Sequence, residues 1–219
     1  MTGKDGLRPR PRGGPRPDRL LVRAGCASAA VAALACLFLA PAGRPVARPY
    51  DAGAVPTSGA ASGPARAASP PLVLTVPGHV ERIPVDPVTV GTGGVLAVPE
   101  SPSRLGWWAL GAHPGAARGT LLLAGHLDTA DEGAGPLEEL HAVPLGARAH
   151  VITADGARHT YRIVARRTYP KSELPADLFS ADGPPRLALV TCAGTFDRTA
   201  HAYEDNLVLY GVAENDTRH

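Results

Sequence analysis

After residue 71, short apolar runs rich in Val, Leu and Ile alternate with segments that contain Gly, Pro and Asp. Each run is four to six residues long, which suits a β-strand and is too short for most helices. The pattern predicts eight strands, over residues 72–76, 80–83, 95–98, 120–124, 150–153, 160–164, 187–191 and 207–212.

The connections between these runs favour a mainly β fold. Asp155-Gly156, between the fifth and sixth runs, is a strong signal for a two-residue hairpin turn. Helical patterns are plausible only over residues 102–110 and 136–141. We therefore expect a closed eight-stranded β-barrel with one or two short helices, because closure leaves no open sheet edge. A β-sandwich is the alternative.

The N-terminal part of the chain has a different character. Residues 24–42 form a nineteen-residue run without a charged side chain, about the minimum length for a single transmembrane helix. Residues 1–23 carry seven basic and two acidic side chains, which predicts a cytoplasmic N-terminus and an exported remainder. A cleaved signal peptide is the alternative. Cys26 and Cys36 lie inside the apolar run, where we expect small membrane-facing side chains.

Residues 43–71 are almost entirely Ala, Pro, Gly, Ser and Arg, which predicts a disordered linker. A folded domain over residues 72–213 and a short tail, 214–219, follow. The net charge of the chain is +2, and the basic head alone contributes +5. The remainder is therefore acidic, at 2 − 5 = −3, and has no basic patch, which argues against binding nucleic acid.

Two predicted strands end on side chains capable of covalent chemistry. The run 187–191 leads into Cys192, and the run 120–124 leads by way of a glycine into His126. A thiol with a positioned imidazole is a typical nucleophile and general base. The other two cysteines lie in the apolar N-terminal run, so Cys192 has no disulfide partner in its own domain. An unpaired exported thiol favours a catalytic role, with a packing role as the alternative.

Further polar residues could complete such a site. Asp128 follows His126 by two positions and could orient its imidazole, although an ordinary loop acid is the alternative. Arg198, in the loop joining the last two strands, is a candidate donor to an oxyanion, or else a solvated partner of Asp197. A zinc site is disfavoured because these residues lack short paired spacings. The chemistry needs no metal and no organic cofactor.

The residues around the histidine and the cysteine resemble those of a known family. Ala124-Gly125-His126, Leu189-Val190-Thr191-Cys192 and a downstream arginine look like the motifs of sortases, the cysteine transpeptidases of Gram-positive bacteria. The continuation resembles the class F, or class E/F-like, branch, and the likeness covers roughly residues 72–213. It rests on Thr191-Cys192-Ala193-Gly194-Thr195-Phe196-Asp197-Arg198, Tyr203-Glu204-Asp205-Asn206, Arg104-Leu105-Gly106-Trp107 and Tyr169-Pro170-Lys171.

Two departures from the family pattern are relevant. Class F members commonly have Cys-Gly-Gly where this chain has Cys192-Ala193-Gly194, which is a mild change if Ala193 has a negative φ. In better-known sortases the arginine lies on the final strand, where this chain offers Asn206 as an alternative donor.

The resemblance implies a function and a set of roles. Cys192, His126 and Arg198 would be catalytic, with Thr191, Asp128 and Asn206 as supporting residues. The substrate would be an exported protein with a C-terminal Leu-Pro-x-Thr-Gly-type sorting signal, transferred through an acyl-thioester to an amine of a cell-wall precursor. The alternatives are another wall-acting cysteine hydrolase or transpeptidase, and a membrane-tethered β-barrel binding module with a structural cysteine.

Overall fold

A computed structural model describes residues 50–58, 68–90, 96–131 and 133–214. These residues contain eleven β-strands and three short 3-10 helices. The strands are β1 (Ala52–Gly53), β2 (Pro71–Val76), β3 (Val80–Val88), β4 (Leu105–Trp108), β5 (Thr120–Ala124), β6 (Asp128–Thr129), β7 (Gly133–Ala134), β8 (Arg148–Thr153), β9 (Arg158–Pro170), β10 (Arg186–Asp197) and β11 (Ala202–Ala213). The 3-10 helices are Glu138–Ala142, Lys171–Glu173 and Ala176–Phe179.

Eight of these strands close into a barrel, which confirms the predicted fold class. Their order is β9-β11-β10-β5-β4-β3-β2-β8, and β8 pairs with β9 to complete the ring. Most neighbours are antiparallel, but β5 pairs with β10 and β3 pairs with β4 in parallel. The short β6–β7 hairpin forms a separate two-stranded sheet.

The barrel interior is filled by alternate residues of all eight strands. In β10, Leu187 and Leu189 are fully buried among the interior side chains, while Ala188 and Val190 face the opposite side of the sheet. This alternation is the ordinary two-residue period of a strand. The interior contains Leu, Val, Ile and Ala with few aromatic residues, in keeping with an aromatic content of 5% in the whole chain.

A second apolar cluster lies outside the barrel wall. It joins residues of β4, β5, β9, β10 and β11, and the connection between β9 and β10 packs over it through Leu178 and Phe179. Trp108 on β4 makes two contacts with Phe179. Its Nε1 donates to the Phe179 carbonyl at 3.0 Å, and its ring meets the Phe179 ring edge-on. β5 and the first six residues of β10 are therefore buried on both faces.

Two predictions of secondary structure are wrong. The segment 102–110 is not helical, because it contains β4, whose four residues are all buried. A strand covered on both faces lacks polar alternation, so its pattern cannot be told from that of a short helix. The predicted strand 95–98 is absent among its described residues, where Leu96 forms only an isolated bridge with Val90. The predicted helix at 136–141 corresponds to the 3-10 helix Glu138–Ala142.

Residues 50–58 are ordered against the barrel, although they fall within the predicted linker, 43–71. β1 pairs with β9, and Arg167 of β9 donates to the carbonyls of both β1 residues at 2.7 and 2.6 Å. Further along, Arg186 donates to the Pro56 carbonyl at 3.2 Å. The linker prediction therefore does not describe residues 50–58, because arginines of the folded domain bind their backbone.

The predicted basic head, 1–23, the predicted anchor, 24–42, and most of the predicted tail, from 215 onwards, lie outside the described residues. Among the residues that are described, none of the helices has the length and apolar character needed to cross a bilayer.

Candidate active site

The parallel pair of β5 and β10 brings the predicted histidine and cysteine together. The register pairs Thr120 with Arg186 and continues to Ala124 with Val190, a constant offset of 66 residues. Carried two residues further, the same offset relates His126, in the loop after β5, to Cys192, which is still within β10. Neighbouring strands lie about 4.8 Å apart. Both residues therefore lie just past the end of the parallel pairing of β5 and β10.

Two hydrogen bonds continue the contact between β5 and β10 beyond their last paired residues. The Gly125 amide donates to the Val190 carbonyl at 3.1 Å, and Thr191 Oγ1 donates to the Gly125 carbonyl at 3.0 Å. Thr191 is buried, so this second bond is shielded from water. Thr191, one of the predicted supporting residues, thus joins the backbone just before His126 to the residue just before Cys192.

His126 is half-buried and has a defined ring contact. Its Nε2 lies 3.0 Å from the Pro99 carbonyl. A carbonyl can only accept, so this contact requires a proton on Nε2. In the neutral ring Nδ1 is then the basic nitrogen, and it is Nδ1 that can take or give a proton. Pro99 itself packs against β4, where a Cβ on Gly106 would come within 3.1 Å of Pro99 Cδ.

The loop that carries Pro99 is tied to the barrel by an ion pair. Arg104, just before β4, donates two hydrogen bonds to the Asp86 carboxylate on β3. These bonds lower the pKa of Asp86 and keep it ionised. The pair fixes the end of the loop and so supports the acceptor of the His126 ring.

Asn206 lies on the other flank of the cysteine. In the antiparallel pair of β10 and β11 it is directly opposite Cys192. Directly opposed residues have Cα atoms ~4.5–5.5 Å apart and side chains on one face of the sheet. His126, in the loop after β5, thus follows the strand on one side of Cys192, and Asn206 lies on the strand on the other side; these three residues are the row of site residues.

A groove of about 440 Å³ opens beside this row. Its lining is mostly apolar and comes from β5, β10, the segment at 96–98 and the connection between β9 and β10. Its polar side chains are those of Lys171, Thr191 and Asn206. The full set is Leu96, Val98, Leu122, Ala124, Gly125, Lys171, Leu174, Phe179, Val190, Thr191, Cys192 and Asn206.

Arg198 is not part of this row. It lies in the exposed turn between β10 and β11, just beyond the pair of Asp197 with Ala202. The alternative suggested by the sequence, an ion pair with Asp197, is also not seen. The Asp197 carboxylate instead accepts from the backbone amides of Thr199 and Ala200 at 2.7 and 3.1 Å, which lowers its pKa.

Asp128 does not contact the ring that it was expected to orient. Its Oδ2 accepts a hydrogen bond from the Tyr203 hydroxyl of β11 at 2.5 Å, whereas His126 contacts Pro99. This bond is the main reason why the pKa of Tyr203 rises to about 12, with a smaller contribution from the charge of a Cys192 thiolate. Tyr203 was assigned no role from the sequence, although it lies three positions before Asn206 in the same motif.

The turn after the cysteine explains the small residues there. Gly194 has a φ of 82°, and a Cβ at this position would come within 2.8 Å of the Asp205 carboxylate. The bulge between β10 and β11 falls at this point. Ala193 is not among the residues with positive φ, so alanine is compatible with its place after Cys192.

Cys192, the one free thiol among the described residues, is half-buried and lines an apolar groove on a closed barrel, and its strand pairs in parallel with the strand that leads to His126. This arrangement is typical of a cysteine enzyme. Among the described residues no group of three His, Cys, Asp or Glu side chains is placed to hold a metal ion.

Comparison with protein families matches residues 74–214 to the sortase domain. Sortase C1 of Streptococcus agalactiae, solved with MTSET, is 16% identical, with a TM-score of 0.52 over 67% of this chain and 69% of that one. Sortase A of Corynebacterium diphtheriae is 17% identical, with a TM-score of 0.50 over 70% and 66%. The pilus-related sortase C of Group B Streptococcus is 14% identical, with a TM-score of 0.51 over 69% and 70%.

At these identities the solved structures show a shared fold, and a search of curated protein sequences finds no match. The family match extends over most of the chain. The chain belongs to the sortase family and is a cysteine transpeptidase.

Proposed function

We propose that this sortase cleaves a C-terminal sorting signal of the Leu-Pro-x-Thr-Gly type and transfers the exported protein to a cell-wall amine. The observation that carries the proposal is that Cys192 lines the apolar groove and lies just past the parallel pairing of its strand with the strand that leads to His126. An apolar groove suits the Leu and Pro of such a signal, because burying apolar surface supplies most of the binding free energy.

In the first half-reaction the Cys192 thiolate attacks the carbonyl carbon of the scissile peptide bond. Asn206 faces the cysteine across the β10–β11 pair, and its side-chain amide can donate to the oxyanion that forms. Protonated His126 gives its Nδ1 proton to the leaving amine as the C–N bond breaks. The products are an acyl-thioester on Cys192 and a free peptide amine.

In the second half-reaction an amine acceptor attacks the thioester. His126, now neutral, takes a proton from the attacking amine at Nδ1, and the thiolate of Cys192 leaves. The new amide joins the protein to the acceptor. The protein itself supplies every proton transfer in this cycle.

The finer class and the location are also proposals. The segments Thr191–Arg198 and Tyr203–Asn206 support membership of the class F, or class E/F-like, branch. The charge-free run at 24–42 behind a basic head supports an N-terminal membrane anchor with the catalytic domain outside the cell. Under this proposal, substrate and acceptor meet the enzyme at the outer surface of the membrane.

The test uses the full-length protein in detergent, a library of sorting-signal peptides and an amine acceptor. We expect a thioester adduct on Cys192 and an amide-linked product, both detected by mass spectrometry. Cys192→Ala should remove both while the far-ultraviolet circular dichroism is retained. Turnover by Cys192→Ala, or no turnover of any library peptide by the unaltered protein, would refute the proposal.

A further inference from the structure

A side-chain hydrogen bond links the loop after His126 to the hairpin that carries Cys192. Asp128 is two residues beyond the histidine, at the start of β6, and it accepts from the hydroxyl of Tyr203 on β11 at 2.5 Å. Within the described part of the chain, neither side chain makes another hydrogen bond. No part of the proposed reaction uses it.

On the histidine side, the link acts on a closely packed piece of backbone. Asp128 pairs with Ala134, and the Gly135 amide donates to the Leu127 carbonyl at 2.7 Å. Gly135 lies so close to the histidine backbone that a Cβ there would come within 2.4 Å of the His126 carbonyl oxygen. A shift of Asp128 therefore moves the backbone of His126 with it.

On the cysteine side, the link acts on a fixed ring. Tyr203 pairs with Phe196 across β10 and β11, and the two rings meet edge-on with centroids 5.1 Å apart. Tyr203 precedes Asn206 by three residues on the strand that flanks Cys192. The phenol is close enough for the charge of a Cys192 thiolate to act on it.

We propose that the hydrogen bond between Tyr203 and Asp128 is a positioning latch, which holds the His126 loop against the Cys192 hairpin. The proposal rests on the proposed function, because it assigns the two residues to the geometry of that reaction. Both are positioning residues, acting through His126 and not on the substrate. At neutral pH the phenol keeps its proton and donates, and the carboxylate accepts.

The latch is needed because the site residues lie on different parts of the chain: His126 follows β5, whereas Cys192 and Asn206 belong to the β10–β11 hairpin. β5 and β10 fix the two backbones up to Gly125 and Val190, and beyond that point His126 lies in a loop. Its ring makes a hydrogen bond with the Pro99 carbonyl. Proton transfer depends on positions within a fraction of an ångström, and a displacement of ~1 Å can cost about 10²-fold in rate.

The experiment compares Tyr203→Phe and Asp128→Ala with the unaltered full-length protein. Tyr203→Phe keeps the ring contact with Phe196 and removes only the hydroxyl. We expect each variant to lose at least about tenfold in kcat, with KM changed by less than about twofold, since positioning acts on the transition state. The double variant should be no slower than the slower single variant, because both substitutions break one bond.

Asp128→Asn separates hydrogen bonding from charge. The asparagine oxygen still accepts from the phenol, so kcat should stay within about threefold of the unaltered value. Tyr161→Phe is the matched control, because it also removes a tyrosine hydroxyl that makes one hydrogen bond, to the Gly115 amide. Tyr161 is on β9, eight residues before Tyr169, which is the residue that pairs with Asn206. Because Tyr161 is therefore far from the site along the strand, Tyr161→Phe should keep kcat.

A second measurement does not depend on any substrate. The rate of Cys192 alkylation by a small reagent at one fixed pH reports the reactivity of the thiol. In Tyr203→Phe and Asp128→Ala we expect this rate to fall, and in Tyr161→Phe to stay. If the unaltered protein turns over no peptide, the proposed function fails while this rate still tests the latch.

The latch is refuted if both single variants keep kcat and the alkylation rate of the unaltered protein. Additive losses in the double variant, an equal loss in Tyr161→Phe, or a loss in Asp128→Asn as large as in Asp128→Ala would also overturn it. If Tyr203→Phe does not fold, Asp128→Ala decides, because that side chain is exposed.

Discussion

The donor to the oxyanion is the point at which sequence and structure lead to different predictions, so it gives the most informative test. The two candidates are Arg198 and Asn206. We predict that Asn206→Ala lowers kcat by about 10²–10³, or ~2.7–4 kcal/mol of transition-state stabilisation, the usual cost of removing one such donor. Arg198→Ala should cost less than about tenfold, or ~1.4 kcal/mol.

These magnitudes follow from the register of the β10–β11 hairpin. Asn206 is paired with Cys192, so their Cα atoms lie ~4.5–5.5 Å apart. Arg198 is six residues beyond Cys192, in an exposed turn. At ~3.3 Å per residue this is about 20 Å along the strand. A charge at that separation in water contributes little, because salt screens it within ~8–10 Å.

The assay is single-turnover formation of the acyl-thioester, which isolates the first half-reaction from acceptor binding. Asn206→Asp is the sharper variant, because it keeps the shape, removes both amide donors and sets a negative charge beside the developing oxyanion. It should therefore be slower than Asn206→Ala. A loss of 10²-fold or more in Arg198→Ala, together with less than about tenfold in Asn206→Ala, would refute this reasoning and restore the arginine as donor.

Three further outcomes are expected. Gly194→Ala should lower the free energy of unfolding by at least about 1–2 kcal/mol in urea titrations, since φ is positive and the added Cβ would meet Asp205. Arg186→Met should cost about 1.5–3 kcal/mol by the same assay, because Thr120 Oγ1, the Pro56 carbonyl and the exposed Asp177 carboxylate lose their charged donor. The hydrogen bond to Asp128 raises the pKa of Tyr203 from 10.0 to about 12 in the folded state. The resulting contribution to stability is complete below pH 10 and is lost as the pH rises to about 12. Tyr203→Phe should therefore remove this part of the alkaline decline in melting temperature.

The sequence was sufficient for the barrel wherever strands alternate or end in recognisable turns. Seven of the eight predicted strands are present, and the strand ending at Ala124 is paired with the strand leading to Cys192 as the site required. The eighth barrel strand, β4, was missed because all four residues are buried, so its hydrophobic pattern carries no period. The sequence predicted no strand order, because residues that pair across β5 and β10 are 66 positions apart and their contact is a tertiary one.

The parts of the site that could not be predicted depend on tertiary contacts. Nothing in the sequence near Pro99 indicates that its carbonyl accepts from His126, because any residue offers a carbonyl. The link from Asp128 to Tyr203 joins residues 75 positions apart and needs the β11 register to be known. The ordering of residues 50–58 was hidden for a similar reason, since arginines elsewhere in the chain bind backbone atoms of a segment with little apolar character.

The chemistry of this site follows from where two kinds of strand pairing meet. The parallel pair with β5 ends at the carboxyl end of β10, so His126 can leave the sheet there as a loop residue while Cys192 is still held within a strand. The antiparallel pair with β11 continues past the same point and supplies Asn206 from a rigid position. The proposed nucleophile, Cys192, and the proposed donor, Asn206, thus lie in paired strands, whereas the proposed acid–base residue, His126, lies in a loop. The hydrogen bond to Pro99 and the Asp128–Tyr203 hydrogen bond therefore control the position of His126. Variants that break these contacts should slow proton transfer more than they weaken peptide binding.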